Sequence, residues 1–441
     1  MKRLALITAA IVAVTGVLLA QRGPAKPLDI YVVDTEGGKA ALWVAPGGQS
    51  LLIDSGNPGN RDLDRIMAAV NDAGLKQIDF LISTHYHVDH IGGLQELSKR
   101  IPIGHYIDHG PNVEEREQVQ GFQAAYAELY GKAKHTVVKP GDKVPITGLD
   151  WRIVTSAGNV LKTPLTPGTA KPNPACTGVA PKDASPTDDN AQSVGSVITF
   201  GQFRAIDLGD LLWNKENELV CPNNPVGTVD VYFVTHHGLD ASGSPALVDA
   251  VQPRVAIMQN GTRKGGSVEA IKTMRSSPGF EDLWQLHWSY NAGLELNSAG
   301  VFIANIDDAA TIASVLIGPP RGGGPGGGGR GAQGGGPPNP PAPGVGNAPV
   351  ATAPVGAAAL PPPGTMPPGA TQAPSSAQPP PLPGAGVAPA PAAGGAGAGR
   401  GGGGAAAHTP AYWIKLSVQP DGTFTVTNNR NGFSKTYSKR K

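Results

Sequence analysis

The sequence predicts an α/β (α+β) protein made of two mixed β-sheets with helices outside. Three observations predict it. Short apolar runs alternate with segments of helical spacing from Leu28 to Ile306. Many neighbouring strands are joined by tight turns, which a purely parallel doubly wound sheet does not allow. A hairpin with a Pro420-Asp421-Gly422 turn follows a long Gly/Pro/Ala tract, so the tract reads as an insertion and not as a tail.

The elements follow in order. Leu28 to Val33 and Ala40 to Val44 read as paired strands around the Glu36-Gly37-Gly38 turn, and Ser50 to Asp54 as a third. Arg61 to Ala73 has helical spacing, with Ile66, Ala69 and Val70 on one face and Gly74 as its C-terminal stop. Phe80 to Ser83 is a buried-type strand, Gly92 to Lys99 a helix, Ile103 to Ile107 a strand and Val113 to Tyr130 a longer helix. Asp150 to Thr155 is a strand, and residues 158–188 are a long loop. Ser193 to Thr199 and Phe203 to Ile206 form a hairpin around Gly201. Strands then run over Val231 to Val234, Arg254 to Met258 and Val301 to Ile306, with helices over Pro245 to Val251 and Val268 to Met274. Tyr412 to Val418 and Phe424 to Thr427 form the last hairpin.

Composition sets the boundaries. The chain has 441 residues, but 61 are Gly and 43 are Pro, and only 16% are charged. Residues 319–409 contain no Phe, Tyr or Trp, and cannot bury enough apolar surface to offset their ordering entropy. That stretch is expected to be a disordered insertion. Residues 1–26 read as an export leader, with Lys2 and Arg3 before the apolar run Leu4 to Ala20. Cleavage gives a periplasmic or secreted protein; an uncleaved leader would be an N-terminal membrane anchor. The expected organisation is leader 1–26, main domain 27–318, insertion 319–409 and a completing hairpin 410–441. Cys176 and Cys221 form an even pair, compatible with one disulfide in an exported chain. The formal net charge of +1 excludes a strongly basic nucleic-acid binder on global charge.

The chemistry sits in Thr84-His85-Tyr86-His87-Val88-Asp89-His90-Ile91-Gly92-Gly93, directly after an apolar strand. His85 and His87 are two apart and point the same way on an extended segment. Asp89 and His90 follow on the turn into a helix. Imidazole and carboxylate together suit Zn²⁺ or a similar first-row metal. Four such groups are too many for one site with an open position, so they suggest two metals. Two later strand ends add donors: Gly209-Asp210, placed to bridge two metals, and Thr235-His236-His237-Gly238. Asp54 ends another strand and is expected to support a ligand instead of binding metal itself. Arg263 and Lys264 follow a strand end and could pair with an anionic substrate.

THYHVDHIGG resembles the HxHxDH signature of the metallo-β-lactamase superfamily, over about Leu28 to Ile306 and into the last hairpin. The resemblance implies an αββα four-layer sandwich with a dinuclear metal site at one edge. Within that superfamily THYHVDHIGG, the Asn190-Ala-Gln-Ser193 segment before a hairpin ending in LGD, and VTHHG resemble the ComEC-type, competence-protein-like hydrolases. Teichoic-acid phosphorylcholine esterases belong to the same broad group. The resemblance implies His85, His87, Asp89, His90 and Asp210 as metal ligands. One of His236 and His237 completes the set. His236 is the expected ligand because it follows its strand directly, which leaves His237 facing substrate as a catalytic group beside Asp89. Asn190 stands where many members have a ligand histidine, which points to a weaker or more exchangeable first metal.

The function expected is exported, metal-dependent hydrolysis of a phosphodiester or phosphoester by hydroxide held between two divalent ions. Zn²⁺ is the expected ion, with Mn²⁺ as the alternative. The substrate expected is a small-molecule or cell-envelope phosphoester, the near-neutral charge disfavouring long nucleic acid. The alternatives are a carboxylic-ester, lactone or β-lactam hydrolase on the same scaffold, an iron-dependent redox variant, and a non-enzymatic interaction protein.

Overall fold

The computed structural model describes residues 26–168, 170–180, 182, 187–306 and 413–440. The expected leader up to residue 25 and the insertion 319–409 lie outside the described residues. No helix among the described residues is long and apolar enough to cross a membrane.

The strands, in chain order, are β1 (Leu28–Val33), β2 (Ala41–Val44), β3 (Ser50–Ile53), β4 (Phe80–Ile82), β5 (His105–Asp108), β6 (Lys134–Val137), β7 (Lys143–Val144), β8 (Asp150–Ser156), β9 (Asn159–Val160) and β10 (Lys171–Pro172). There follow β11 (Gly195–Phe200), β12 (Phe203–Asp207), β13 (Asn223–Asn224), β14 (Val231–Phe233), β15 (Val255–Met258), β16 (Asp282–His287) and β17 (Ile303–Asn305). The chain closes with β18 (Trp413–Val418), β19 (Phe424–Asn428) and β20 (Ser434–Tyr437). The first sheet runs β20-β19-β18-β1-β2-β3-β4-β5-β6, and the second β17-β16-β15-β14-β12-β11-β8-β7, with β9 on β8. Both are mixed. β1, β2 and β3 pair antiparallel, whereas β3, β4, β5 and β6 run parallel.

The two sheets face each other across an apolar core. Trp43 on β2 meets Trp151 on β8 edge to face, with ring centroids 5.1 Å apart. Phe233 joins them at 5.4 Å from Trp43. The outer face of the first sheet is covered by the helices Asn60–Asp72, Leu94–Arg100 and Glu117–Tyr130 through Leu63, Ile66, Leu97 and Tyr126. The outer face of the second is covered by Trp213–Val220, Pro245–Val251 and Val268–Ser276 through Leu219, Leu247 and Ile271. The result is helix–sheet–sheet–helix, as the resemblance implied. Sandwiched strands are buried on both faces, so β1 and β15 read as unbroken apolar runs. β19 has one solvated face and alternates, Phe424, Val426 and Asn428 inward.

The last segment is a three-stranded meander, not a hairpin alone. Its first strand pairs antiparallel along the whole of β1, from Leu28 opposite Val418 to Val33 opposite Trp413. The expected helix Val113 to Tyr130 begins only at Glu117, because Asn112 accepts from the Glu114 backbone N–H and holds that stretch in a turn. The expected strand Val301 to Ile306 shortens to Ile303–Asn305 behind a 3-10 turn. The helix Trp213–Val220 and the strands β6, β16 and β20 carry too weak a period to be read from sequence. Cys176 and Cys221 are disulfide-bonded and tie the long loop to the end of the helix Trp213–Val220.

Candidate metal centre

Five parallel-strand ends meet at one edge of the sandwich. β3 delivers Asp54, β4 delivers residues 84–90, β12 delivers Asp210, β14 delivers His236 and His237, and β15 delivers Lys264. C-terminal strand ends are where an open α/β sheet leaves a crevice. Three of these residues have left-handed backbones, which cost roughly 1–3 kcal/mol each in a non-glycine residue. They are Asp54 (φ 57°), His236 (φ 53°) and His237 (φ 56°). Such strain persists where surrounding contacts impose it.

Hydrogen bonds fix the tautomers. His90 Nδ1 lies 2.7 Å from Asp54 Oδ2, so Nδ1 carries the proton. His237 Nδ1 lies 3.0 Å from the Gln259 carbonyl oxygen and donates to it. Thr84 Oγ1 donates to Asp54 Oδ2 at 2.7 Å and therefore accepts from His85 Nδ1 at 3.1 Å. In the neutral ring each of these histidines turns a bare Nε2 lone pair inward. All three Nε2 atoms are buried and form no hydrogen bond.

The lone pairs face anions. His237 Nε2 is 3.2 Å from both Asp89 Oδ2 and Asp210 Oδ2. His90 Nε2 is 3.4 Å and 3.2 Å from the same two oxygens. Asp210 Oδ1 is likewise buried without a partner. Burial pushes the Asp89 carboxyl up, but Lys264 and His90 outweigh it and hold it well below the usual carboxylate range. Asp210 is held low against burial by His237 and His90. His85 is held neutral by burial and by the neighbouring His90 and His87. Asp210, Asp89 and Asp54 outweigh burial and push the His90 ring well above the usual imidazole range, and a divalent cation between the two rings and the two carboxylates would take the place of the proton they otherwise share. Asp89, His90, Asp210 and His237 bring one donor atom each within 4.8 Å of one another. Two carboxylates and two imidazoles fit a divalent first-row ion.

The structure therefore reverses the expectation for the histidine pair. His237, not His236, stands in the four-donor cluster. The left-handed turn at both residues sends the second imidazole inward. His236 lies at the rim, its Nε2 3.6 Å from Asp210 Oδ2 and its Nδ1 3.2 Å from Ser242 Oγ. Burial, against the pull of Asp210, pushes His236 down to about 4, so it is neutral at pH 7.

His85 and His87 stand side by side, ring centroids 4.5 Å apart, and His85 lies 4.0 Å from His90. His87 Nε2 sits 2.7 Å from Glu114 Oε1. Asp54 supports His90 and the Thr84 backbone N–H without entering the cluster. Asn190 is buried, and its Oδ1 has no hydrogen-bond partner. Of the two expected cations only Lys264 reaches the centre, pairing with Asp89 Oδ2. Arg263 points away and lies over the Tyr290 ring, 5.0 Å from its centroid.

Sequence reasoning missed Glu114, Asp188, Lys39 and Ser242. Glu114 lies in the stretch read as the start of a helix, and Asp188 ends a loop with no periodicity. Lys39 hides in the turn after β1, where its buried Nζ sits 3.0 Å from Asp207 Oδ1 and 3.1 Å from Gln259 Oε1.

Residues 34–181 match the family model described as "Metallo-beta-lactamase superfamily". The chain is 24% identical over 238 residues to "Competence protein ComA" of Neisseria gonorrhoeae, covering 54% of this chain and 28% of that protein. It is 28% identical over 190 residues to "ComE operon protein 3" of Bacillus subtilis (strain 168), covering 43% and 20%. It is 26% identical over 122 residues to a "Hydroxyacylglutathione hydrolase" of Klebsiella pneumoniae, covering 27% and 39%. The chain thus spans less than a third of the two competence proteins' length.

Proposed function

We propose that this chain, whose residues 34–181 form a metallo-β-lactamase superfamily domain, is a hydrolase that cleaves phosphoesters, phosphodiesters above all, at a centre of two divalent cations. The observation that carries the reading is the convergence of the bare Nε2 atoms of His90 and His237 on Asp89 and Asp210. Cations bound there would supply hydroxide at neutral pH and stabilise charge on the substrate oxygens. Zn²⁺ or Mn²⁺ suits the donors.

The chain's own residues hold the rest. His90 and His237 are fixed in the ligating tautomer by Asp54 and Gln259. Lys264 Nζ, half-exposed beside Asp89, is the cation that an incoming anionic group meets. His236 is neutral, and Ser242 Oγ, which donates to the Leu211 carbonyl, accepts from its Nδ1. Its Nε2 is therefore free to take a proton at the rim of the centre.

The competence-type motifs THYHVDHIGG and VTHHG, and Lys264 placed beside Asp89 to meet an anionic group, favour the phosphodiester reading. The similarity to a hydroxyacylglutathione hydrolase supports a second reading, cleavage of a carboxylic ester or thioester. We place the protein outside the cytoplasm, supported by the leader-like N-terminus and the Cys176–Cys221 bond. Its substrate is then a small or envelope phosphoester.

The test is hydrolysis of bis(p-nitrophenyl) phosphate by the purified chain loaded with Zn²⁺ or Mn²⁺, with His87→Ala as control. Metal-dependent turnover lost in the control is expected. Metal binding without turnover, alongside cleavage of a thioester or lactone, moves the second reading to the front.

A further inference from the structure

We propose that the His85–His87 side of the centre is a mixed histidine–carboxylate metal site, completed by Glu114 with Asp188 as a second oxygen donor. The inference rests on the two-cation reading above and assigns ligands that the HxHxDH motif does not contain.

His87, Glu114 and Asp188 bring one donor atom each within 4.8 Å of one another. These three residues share no strand. Glu114 comes from the loop after β5, and Asp188 from the end of the long disulfide-tied loop. The Glu114 carboxylate is buried and held in place. Asn112 brackets its backbone, accepting from the Glu114 N–H at 3.0 Å and donating to its carbonyl at 2.8 Å. The Asp189 backbone N–H donates to Glu114 Oε1 at 2.9 Å, so the two loops lock to each other at this carboxylate.

A second observation is independent of the acids. His85 is fully buried, its ring packs against His87 on one side and His90 on the other, and its Nε2 has no hydrogen-bond partner. On the last turn of the Asp188 loop Asn190 Oδ1 and Asp189 Oδ1 are also buried without a hydrogen-bond partner, but Asn190 is neutral and weak as a ligand, and the other Asp189 oxygen is committed to the Tyr86 backbone N–H and lies 3.4 Å from His109 Nε2. The charge this side needs comes from Glu114 and Asp188.

The alternative is an ordinary ion pair. Arg116 Nε contacts Glu114 Oε2, and Arg116 Nη2 lies 2.6 Å from His87 Nε2. One nitrogen cannot both donate to Glu114 Oε1 and accept from Arg116. The Arg116 side chain is 62% exposed, so it is free to leave. A cation held by His87 and Glu114 displaces it. Arg116 is thus a competitor for the site and contributes nothing to its ligation. Carboxylate donors also move preference from Zn²⁺ toward Mn²⁺.

The experiment uses the full chain, stripped with chelator and titrated separately with Mn²⁺ and Zn²⁺. Metal content is read by mass spectrometry after gel filtration, and affinity by competition with a chromogenic chelator. Wild type is expected to hold two ions. Glu114→Gln should keep one and bind the other about 100-fold more weakly or worse, beyond what loss of a supporting contact costs. The loss should be larger for Mn²⁺ than for Zn²⁺. Glu114→Asp, which keeps the charge, should recover part of the affinity, and Arg116→Gln should tighten it. Circular dichroism checks that each variant folds; if Glu114→Gln does not, the Glu114→Asp and Arg116→Gln shifts decide. Two ions retained at unchanged affinity in Glu114→Gln, or weaker binding in Arg116→Gln, overturns the inference while leaving the hydrolase reading intact. A wild type that takes up no ion overturns both.

Discussion

Asp54 and His90 form a buried pair, with His90 Nδ1 2.7 Å from Asp54 Oδ2. Every group around the Asp54 carboxylate is a donor, since Thr84 supplies both its hydroxyl and its backbone N–H. The carboxylate therefore decides which His90 nitrogen holds the proton.

Asp54→Asn places an NH₂ among those donors and disturbs the His90 tautomer. Asparagine tolerates the left-handed backbone at this position, so the fold is kept. Metal affinity should fall about 10–100-fold, measured by chelator competition.

His236 and His237 should separate cleanly. His237→Ala should abolish binding of one ion, because it removes a donor facing both Asp89 and Asp210. His236→Ala should leave metal content unchanged and lower turnover about 10²–10⁴-fold. Metal analysis beside a rate assay distinguishes this from the opposite pattern, which would restore the order expected from sequence.

Gly265 has φ +74°, and a Cβ there would stand 1.9 Å from the His237 carbonyl oxygen. Gly265→Ala must shift the His237 backbone. It should cost more than about 1 kcal/mol in stability and weaken metal binding, read from denaturant melts with and without added metal.

Glu216 makes a pH prediction away from the centre. Its carboxylate is fully buried and accepts from the Gly243 and Ser244 backbone N–H groups at 2.9 and 2.7 Å. Burial outweighs those bonds and pushes it up to about 7. The folded state therefore favours the protonated form. Its contribution to stability is full below the ordinary glutamate value and is lost as pH rises toward and through 7, by about 3 kcal/mol in all. Unfolding free energy measured from pH 4 to 8, relative to Glu216→Gln, should fall over that window.

Lys39 pairs with Asp207 beneath the centre and joins the turn after β1 to the end of β12. Both groups are buried, so Lys39→Met leaves an uncompensated carboxylate. The expected loss is about 3–5 kcal/mol, measured as a shift in denaturant midpoint.

The sandwich was legible because its strands announce themselves as apolar runs bounded by turns. The HxHxDH segment was legible because four donors crowd one strand end, and Asp210 because it follows a strand directly. The His236–His237 order was not, because spacing along an assumed extended chain says nothing of two successive left-handed residues. Glu114 was hidden within an apparent helix start that the Asn112 turn unwinds. β20 was missed because Ser434-Lys-Thr-Tyr437 buries only Tyr437.

The pairing of β1 with β18 orders the assembly of the molecule in time. Asp29 and Ser417, hydrogen-bonded across that seam, are 388 residues apart. By loop-closure scaling this separation costs only about 3 kcal/mol more than a dozen-residue connection, so equilibrium stability is little affected. Synthesis feels it more. Until Val418 has cleared the ribosome, the outer edge of β1 lacks its β18 neighbour, and an emerging chain offers a ready template for other strands. The first sheet is thus completed only after the residues up to Tyr437 have been made.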